Sequence, residues 1–241
     1  MKKAMRFLAV AALMATSIVT ASCDKSSDAT TDSTVPVLDV KNDGTSLMLS
    51  ANLANVLPAS NAVTSTSDAV MLTYMKEEEK LARDVYTTLN AKWNTQIFAN
   101  IANAEVTHTN AVVTLMANLG LTNTALLPVG EYENQEFYNL YNQLVAQGSA
   151  SLTEAYKVGA LIEDKDIFDL STDMQSTSNA SILLVFENLK MASSNHLRAF
   201  TKQLAALGVT YTPQYIDQAT YTQIVSTPME KGKQYRKRNC C

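Results

Sequence analysis

The stretch "IANAEVTHTNAVV", residues 101–113, carries apolar side chains at helical spacing, yet Glu105 and His108 fall on the same stripe as Ile101 and Val112. Residues three and four apart share one face of a helix. A carboxylate and an imidazole therefore stand in the register of core residues. The chain has two histidines, and His196 lies in a second stretch of this kind. Working outward, the same periodicity predicts four long helices. The first covers 68–93 with Asp68 as its cap. The second covers 95–119 and stops at Gly120, a residue type that suits the left-handed end of a helix. The third opens with Ser151 and Glu154 at capping-box spacing and ends near Leu170. The fourth covers 178–207 and stops at Gly208. A shorter helix, 132–147, sits in the connection between the second and third, "STDMQSTSN" reads as a loop, and "YTPQYIDQATYTQIV" holds a short helix laid over the rest. No strand-like alternation of any length and no internal repeat is present. Four long helices with the longest connection in the middle predict an all-α four-helix bundle with a crossover that contains a short extra helix.

Each predicted helix shows one stripe. These are Leu72, Met75, Glu79, Ala82, Tyr86, Leu89 and Trp93 in the first, and Ile97, Ile101, Glu105, His108, Val112, Leu115 and Leu119 in the second. The third has Leu152, Tyr156, Gly159, Glu163, Asp166 and Leu170; the fourth has Ile182, Phe186, Leu189, Ser193, His196, Phe200 and Leu204. Every stripe is apolar at its ends and polar near its middle. A buried carboxylate without a partner shifts its pKa and neutralises, and four of them together repel one another. A multivalent cation removes that conflict directly. Mixed oxygen and imidazole ligands suit iron, manganese or zinc better than calcium or magnesium. Taken singly the motifs are bland. A Glu–His pair is most often a surface or core polar pair, "KEEEK" is most often a solvated charged turn in which Glu77, Glu78 and Lys80 face water, and "IEDKDIFDL" reads as an acidic helix end. The argument for a metal rests on the same register recurring in four helices and taking in both histidines.

The N-terminal "MKKAMRFLAVAALMATSIVTASC" has a basic start and an apolar run from Phe7 to Val19, the pattern of a bacterial export signal. "TASC" resembles the lipobox of bacterial lipoproteins, with Thr20 where leucine is usual, which implies cleavage before Cys23 and acylation of its thiol; plain secretion and a membrane span are the alternatives. The run is short of the roughly 20 residues a transmembrane helix needs. Removing residues 1–22 takes three basic residues and no acid, so 16 bases face 23 acids and the net charge moves from −4 to −7. That balance argues against nucleic acid as a partner. Residues 23–67 begin as a Ser-, Thr- and Asp-rich stretch expected to be a flexible tether, with 46–64 more apolar and able to pack on the domain. The helical domain is expected over 68–225, followed by a basic tail, 226–241. The adjacent Cys240 and Cys241 make neither a zinc site nor a Cys-x-x-Cys redox pair.

These residues resemble the ferritin-like superfamily, and within it the rubrerythrin-type proteins. "EKLARDVY" (79–86), "EVTH" (105–108), "EDKD" (163–166) and "SSNH" (193–196) follow the order of its helix motifs. From "YMKEEEKLARDVY" through "GALIEDKDIFDL" to "NHLRAF", over about residues 68–225, the sequence resembles the uncharacterised bacterial ferritin-like family called domain of unknown function 2202. The resemblance implies two irons held inside the bundle. Glu79 would be a terminal ligand and Glu105 a bridging one. His108 and His196 would each bind one metal, Glu163 would bind or bridge, and Asp166 would add an extra carboxylate. Tyr86 and Ser193 would stand behind the ligands. Ser193 departs from the pattern, because a bridging glutamate is expected there; the site could then be asymmetric or hold a single metal. The chain also has no Cys-rich iron domain, so redox turnover would need an external electron donor. Two functions follow as expectations. One is an exported, lipid-anchored protein at the cell envelope with a di-iron site, acting in iron oxidation or peroxide reduction. The other is a non-enzymatic surface bundle that binds a partner and keeps a vestigial site. A homodimer is compatible with either, and a closed storage cage ranks low because of the anchor.

Overall fold

The computed structural model describes residues 34–41, 43, 45–57, 64–122, 125–231 and 234–236. Cys23, Cys240 and Cys241, and with them the export signal and the lipidation site, lie outside the described residues. Four helices carry the fold: α2 (Thr66–Trp93), α3 (Gln96–Asn118), α5 (Leu152–Ser176) and α6 (Ala180–Ala206). Before them come β1 (Thr34–Pro36), β2 (Leu38–Val40), β3 (Ser46–Met48) and α1 (Ser50–Val56). Helix α4 (Gln135–Gly148) lies in the connection between α3 and α5, and α7 (Gln218–Ser226) and β4 (Gln234–Arg236) follow α6. Helix α2 packs chiefly on α3 and α5 chiefly on α6; the two pairs meet where α3 faces α6 and α2 faces α5. This is the all-α bundle with a helix-bearing crossover that the periodicity predicts.

The helix ends follow local chemistry. Ser65, not Asp68, caps α2, its hydroxyl accepting from the Asp68 amide at 3.0 Å. Ser151 caps α5 by accepting from the Glu154 amide at 3.1 Å, as the capping-box spacing predicts. Asn94 ends α2 in the left-handed conformation, φ 48°. Gly120 adopts φ +76° after α3, and the Leu121 amide bonds back to the Met116 carbonyl at 2.9 Å. The predicted loop "STDMQSTSN" is shorter than expected, since α5 runs on to Ser176. Its Ser and Thr hydroxyls bond to carbonyls one turn back, Ser171 to Ile167 and Thr172 to Phe168, so polar side chains stay compatible with helix.

The stripes are buried along almost their whole length, and along each helix the polar residues come between two apolar clusters. One cluster holds Val85, Tyr86, Leu89, Phe98, Ile101, Tyr156, Phe200 and Leu204. The other holds Leu72, Met75, Val112, Leu115, Leu170, Ile182, Phe186 and Leu189. Gly159 permits the close approach of α5 and α6, because a Cβ there would lie 2.5 Å from the Phe200 ring.

Two expectations need correction. Part of the stretch expected to be a tether, residues 34–41 and 45–57, is built into the fold. Strands β2 and β3 form an antiparallel pair, and Val37, Leu38, Met48, Leu53 and Leu57 are buried in the second apolar cluster. Strand β1 pairs with β4, which lies in the basic segment 226–241. Strands three residues long are too short for alternation to announce them. Glu77, Glu78 and Lys80 are also buried rather than solvated. The crossover covers that side of α2. The Lys80 ammonium donates to Asp84 at 2.6 Å and to the carbonyls of Glu131 and Pro128 at 2.8 and 3.0 Å, and stands 4.0 Å from the Tyr132 ring centre. No helix among the described residues is long and apolar enough to cross a membrane.

Candidate metal centre

Glu79 comes from α2, Glu105 and His108 from α3, Glu163 and Asp166 from α5, and Ser193 and His196 from α6. All are buried, and the two imidazoles are fully enclosed. Glu105 occupies the middle. Its Oε2 lies 2.7 Å from Nδ1 of His108 and its Oε1 lies 2.9 Å from Nδ1 of His196. Each imidazole then faces a second carboxylate. Glu79 Oε2 is 3.5 Å from His108 Nδ1, and Glu163 Oε2 is 3.5 Å from His196 Nδ1. The rings lie nearly parallel, with centres 5.3 Å apart. The arrangement is close to two-fold, with a Glu–His pair on either side of Glu105.

The outer contacts orient this set. Tyr86 donates its hydroxyl proton to Glu163 Oε1 at 2.6 Å, with the Gly159 carbonyl 3.3 Å away. Ser193 donates to Asp166 in a short hydrogen bond. Nε2 of His108 donates to the Ser46 carbonyl at 2.8 Å, which leaves Nδ1 facing the carboxylates. Among the described residues neither ring nitrogen of His196 has an aligned hydrogen bond, although Glu105 is close to Nδ1. Glu79 Oε1, Glu105 Oε1 and Asp166 Oδ1 are likewise buried without hydrogen-bond partners. Buried polar atoms are normally paired, so a group of orphans around one point asks for an occupant. A cavity of about 10 Å³ lies on the carboxylate side of the centre, lined by Glu78, Glu79, Ala82, Glu105, Ile162, Glu163 and Asp166 but by neither histidine. That is about the space one water-sized occupant needs.

The electrostatics agree with the geometry. Burial pushes the Glu79 carboxyl up to about 8, against the opposing pull of His108. Burial and the nearby Glu79 raise Asp166 well above the usual carboxylate range, and burial raises Glu163. Burial would raise Glu105 too, but the flanking His108 and His196 outweigh it and hold this carboxyl below its ordinary range. Burial lowers the imidazoles, yet their carboxylate neighbours win: His196 sits at about 9 and His108 well above its ordinary value. Protons do the neutralising here, and a cation that displaced them would do the same.

The structure therefore brings all six expected ligands together. Glu105, His108 and His196 offer one ligand atom each within 4.8 Å of one another, close enough to share an ion. Glu79 and Glu163 flank this trio. Asp166 lines the cavity, with Ser193 on its other oxygen. Three contributors escape sequence reasoning. Glu78 lines the cavity through a side chain whose other oxygen meets Lys165 at 2.6 Å. It lies off the core stripe and inside a charge run, so no periodic signal marks it. Ser46 acts through its backbone carbonyl, which has no signature in sequence. Asn195 holds the Ser46 hydroxyl at 2.9 Å.

Comparison with known proteins completes the picture. Residues 68–228 match the family model described as "Uncharacterized protein domain (DUF2202)". The chain is 46% identical over 159 residues to the uncharacterized protein MJ0754 of Methanocaldococcus jannaschii, a match covering 66% of this chain and 86% of the relative. The crystal structure of hypothetical protein MJ0754 superposes with a TM-score of 0.67 at 44% identity, covering 72% of this chain and 99% of that one. The helical domain, and with it the Glu–His centre, thus belongs to the DUF2202 family.

Proposed function

We propose that this protein is a ferritin-like metalloprotein whose carboxylate–histidine centre binds transition-metal ions, iron above all, and that it works at the cell envelope, exported and anchored through an acyl group on Cys23. The observation that carries the reading is the set of buried ligand atoms without a hydrogen-bond partner among the described residues, on Glu79, Glu105, Asp166 and His196 of four helices, the three carboxylates lining one small cavity. Imidazole with carboxylate fits iron, manganese or zinc. Two paired helical hairpins joined through a crossover, with Glu-x-x-His on the second long helix, support a place in the ferritin-like superfamily.

In this reading Glu79 and His108 would hold one metal ion and Glu163 and His196 a second, with Glu105 standing between the two pairs and Asp166 adding a further carboxylate. Tyr86 fixes the carboxylate of Glu163, and the Ser46 carbonyl fixes the His108 ring. The apolar clusters on either side keep bulk water away. Iron held there would supply exchange between Fe(II) and Fe(III): in iron oxidation the electrons would pass from Fe(II) to dioxygen or peroxide, and in peroxide reduction an external donor would return the iron to Fe(II).

Elemental analysis of protein refolded with iron should find about one or two metal ions per chain, as this ligand count implies. Oxidation of added Fe(II), followed optically, should fall at least about tenfold in Glu105→Ala and His108→Ala. One observation favours a second reading, a partner-binding bundle with a vestigial site. Ser193 offers a hydroxyl where a bridging carboxylate is expected, and it is engaged with Asp166. A folded protein that binds no metal, with equal rates in all three forms, would select that reading.

A further inference from the structure

We infer that the hairpin β2–β3 is a working part of the metal centre: the Ser46 carbonyl accepts Nε2–H of His108 and thereby sets that ring to offer Nδ1 to the metal, which makes Ser46 a positioning residue supplied from outside the bundle. The inference rests on the metal reading above. A carbonyl can only accept, so it requires the proton on Nε2 and leaves Nδ1 as the coordinating atom. His108 has this partner at 2.8 Å, whereas Nε2 of His196 has no hydrogen-bond partner among the described residues. One ring is set in advance and the other is not.

The hairpin is fastened where such a role requires. The Asn195 amide, next to His196 in sequence, donates to the Ser46 hydroxyl at 2.9 Å. The Met48 amide donates to the Thr107 hydroxyl, next to His108, at 2.9 Å. Leu38 and Met48 are buried in the second apolar cluster beside the centre. Asn195 is itself held. Its side-chain oxygen accepts from Arg198 at 2.8 Å and from the Glu230 amide at 2.9 Å. Strand β3 is thus stitched to α3 beside one histidine and to α6 beside the other. The family match begins at residue 68, so this support comes from residues that precede the shared domain.

The test exploits the two histidines of the chain, which give two imidazole spin systems in the full-length protein labelled with ¹⁵N-histidine. In metal-free wild type, His108 should show an Nε2–H that exchanges slowly with water, and the signal should persist after loading with Zn(II) while both Nδ1 resonances shift. Leu38→Asp with Met48→Asp should undock the hairpin, abolish that slow proton and weaken zinc binding by about 10–100-fold. Far-UV circular dichroism should show the bundle retained, and Leu38→Met with Met48→Leu should keep both properties. If the double aspartate variant fails to fold, Ser46→Ala decides, because it removes only the tie to Asn195 and should speed exchange of the same proton. An unchanged proton and unchanged affinity in the undocked variant, or an unchanged exchange rate in Ser46→Ala, overturns the inference. Zinc binding without a protected Nε2–H in wild type overturns the positioning role alone. A protected Nε2–H in a protein that binds no zinc overturns the metal reading and this role with it.

Discussion

At the scale of single residues, the centre is a balance of protons that a metal would upset. Glu79 is raised from 4.5 to about 8 and His196 from 6.5 to about 9. Both folded-state values exceed the ordinary ones, so the folded chain binds more protons than the unfolded chain between them. Stability from these groups is present at low pH and is lost as pH rises, for Glu79 through about 8 and for His196 through about 9. Glu105 runs the other way, but its contribution is lost only on acidification below its ordinary value. Metal-free protein is therefore expected to lose a few kcal/mol of stability between roughly pH 6.5 and 9, measured by urea denaturation. Metal-loaded protein should show the opposite trend, because ligands must shed protons to bind. A metal-free stability that rises over this window would contradict the assignment. The ligand residues were legible in the sequence because a polar residue in an apolar stripe breaks a strict period. Glu78 and Lys80 were not, because their burial comes from the crossover and Lys165, partners that lie far away in sequence.

At the scale of elements, helices announce themselves and their coverings do not. The bundle helices and α4 could be read from period and caps, with errors at the ends where hydroxyl side chains let α5 run on. The strands were invisible because three residues carry no period. Two element contacts invite tests. Gly159 lets α5 lie against Phe200, whose ring packs 5.3 Å from Tyr86 and 5.5 Å from Phe98. Gly159→Ala would force those rings apart and should cost about 1–3 kcal/mol in urea denaturation, despite alanine's better helix propensity. A stabilised variant would show that the helices are free to separate. Asp84 ties the crossover to α2, accepting from Lys80 and, at 3.0 Å each, from the Gly130 amide and the Tyr132 hydroxyl. Asp84→Ala leaves the buried Lys80 without its counter-charge and should cost about 3–5 kcal/mol. A loss below about 1 kcal/mol would mean that the carbonyls alone hold Lys80.

Across the whole molecule, the design is a polar layer between two apolar clusters, closed at its edges by segments that have no helical signature. The bundle and its centre were readable because four separate stripes agreed. What wraps them was not, since a carbonyl from β3 or an amide at Asn195 acts through position rather than side-chain pattern. The burial of Lys80 has one more implication. Both Lys76 and Lys80 are sealed from solvent at 0% exposure, with the Lys76 ammonium 3.4 Å from the Ala125 carbonyl and Lys80 on Pro128 and Glu131. An amine-reactive reagent can reach them only when the crossover lifts, so their modification rate reads out how often that flap detaches while the rest of the chain stays folded. Mass spectrometry of a mildly acylated sample should find Lys202, on the outer turn of α6, modified long before either, and the delay would serve as a clock for local opening.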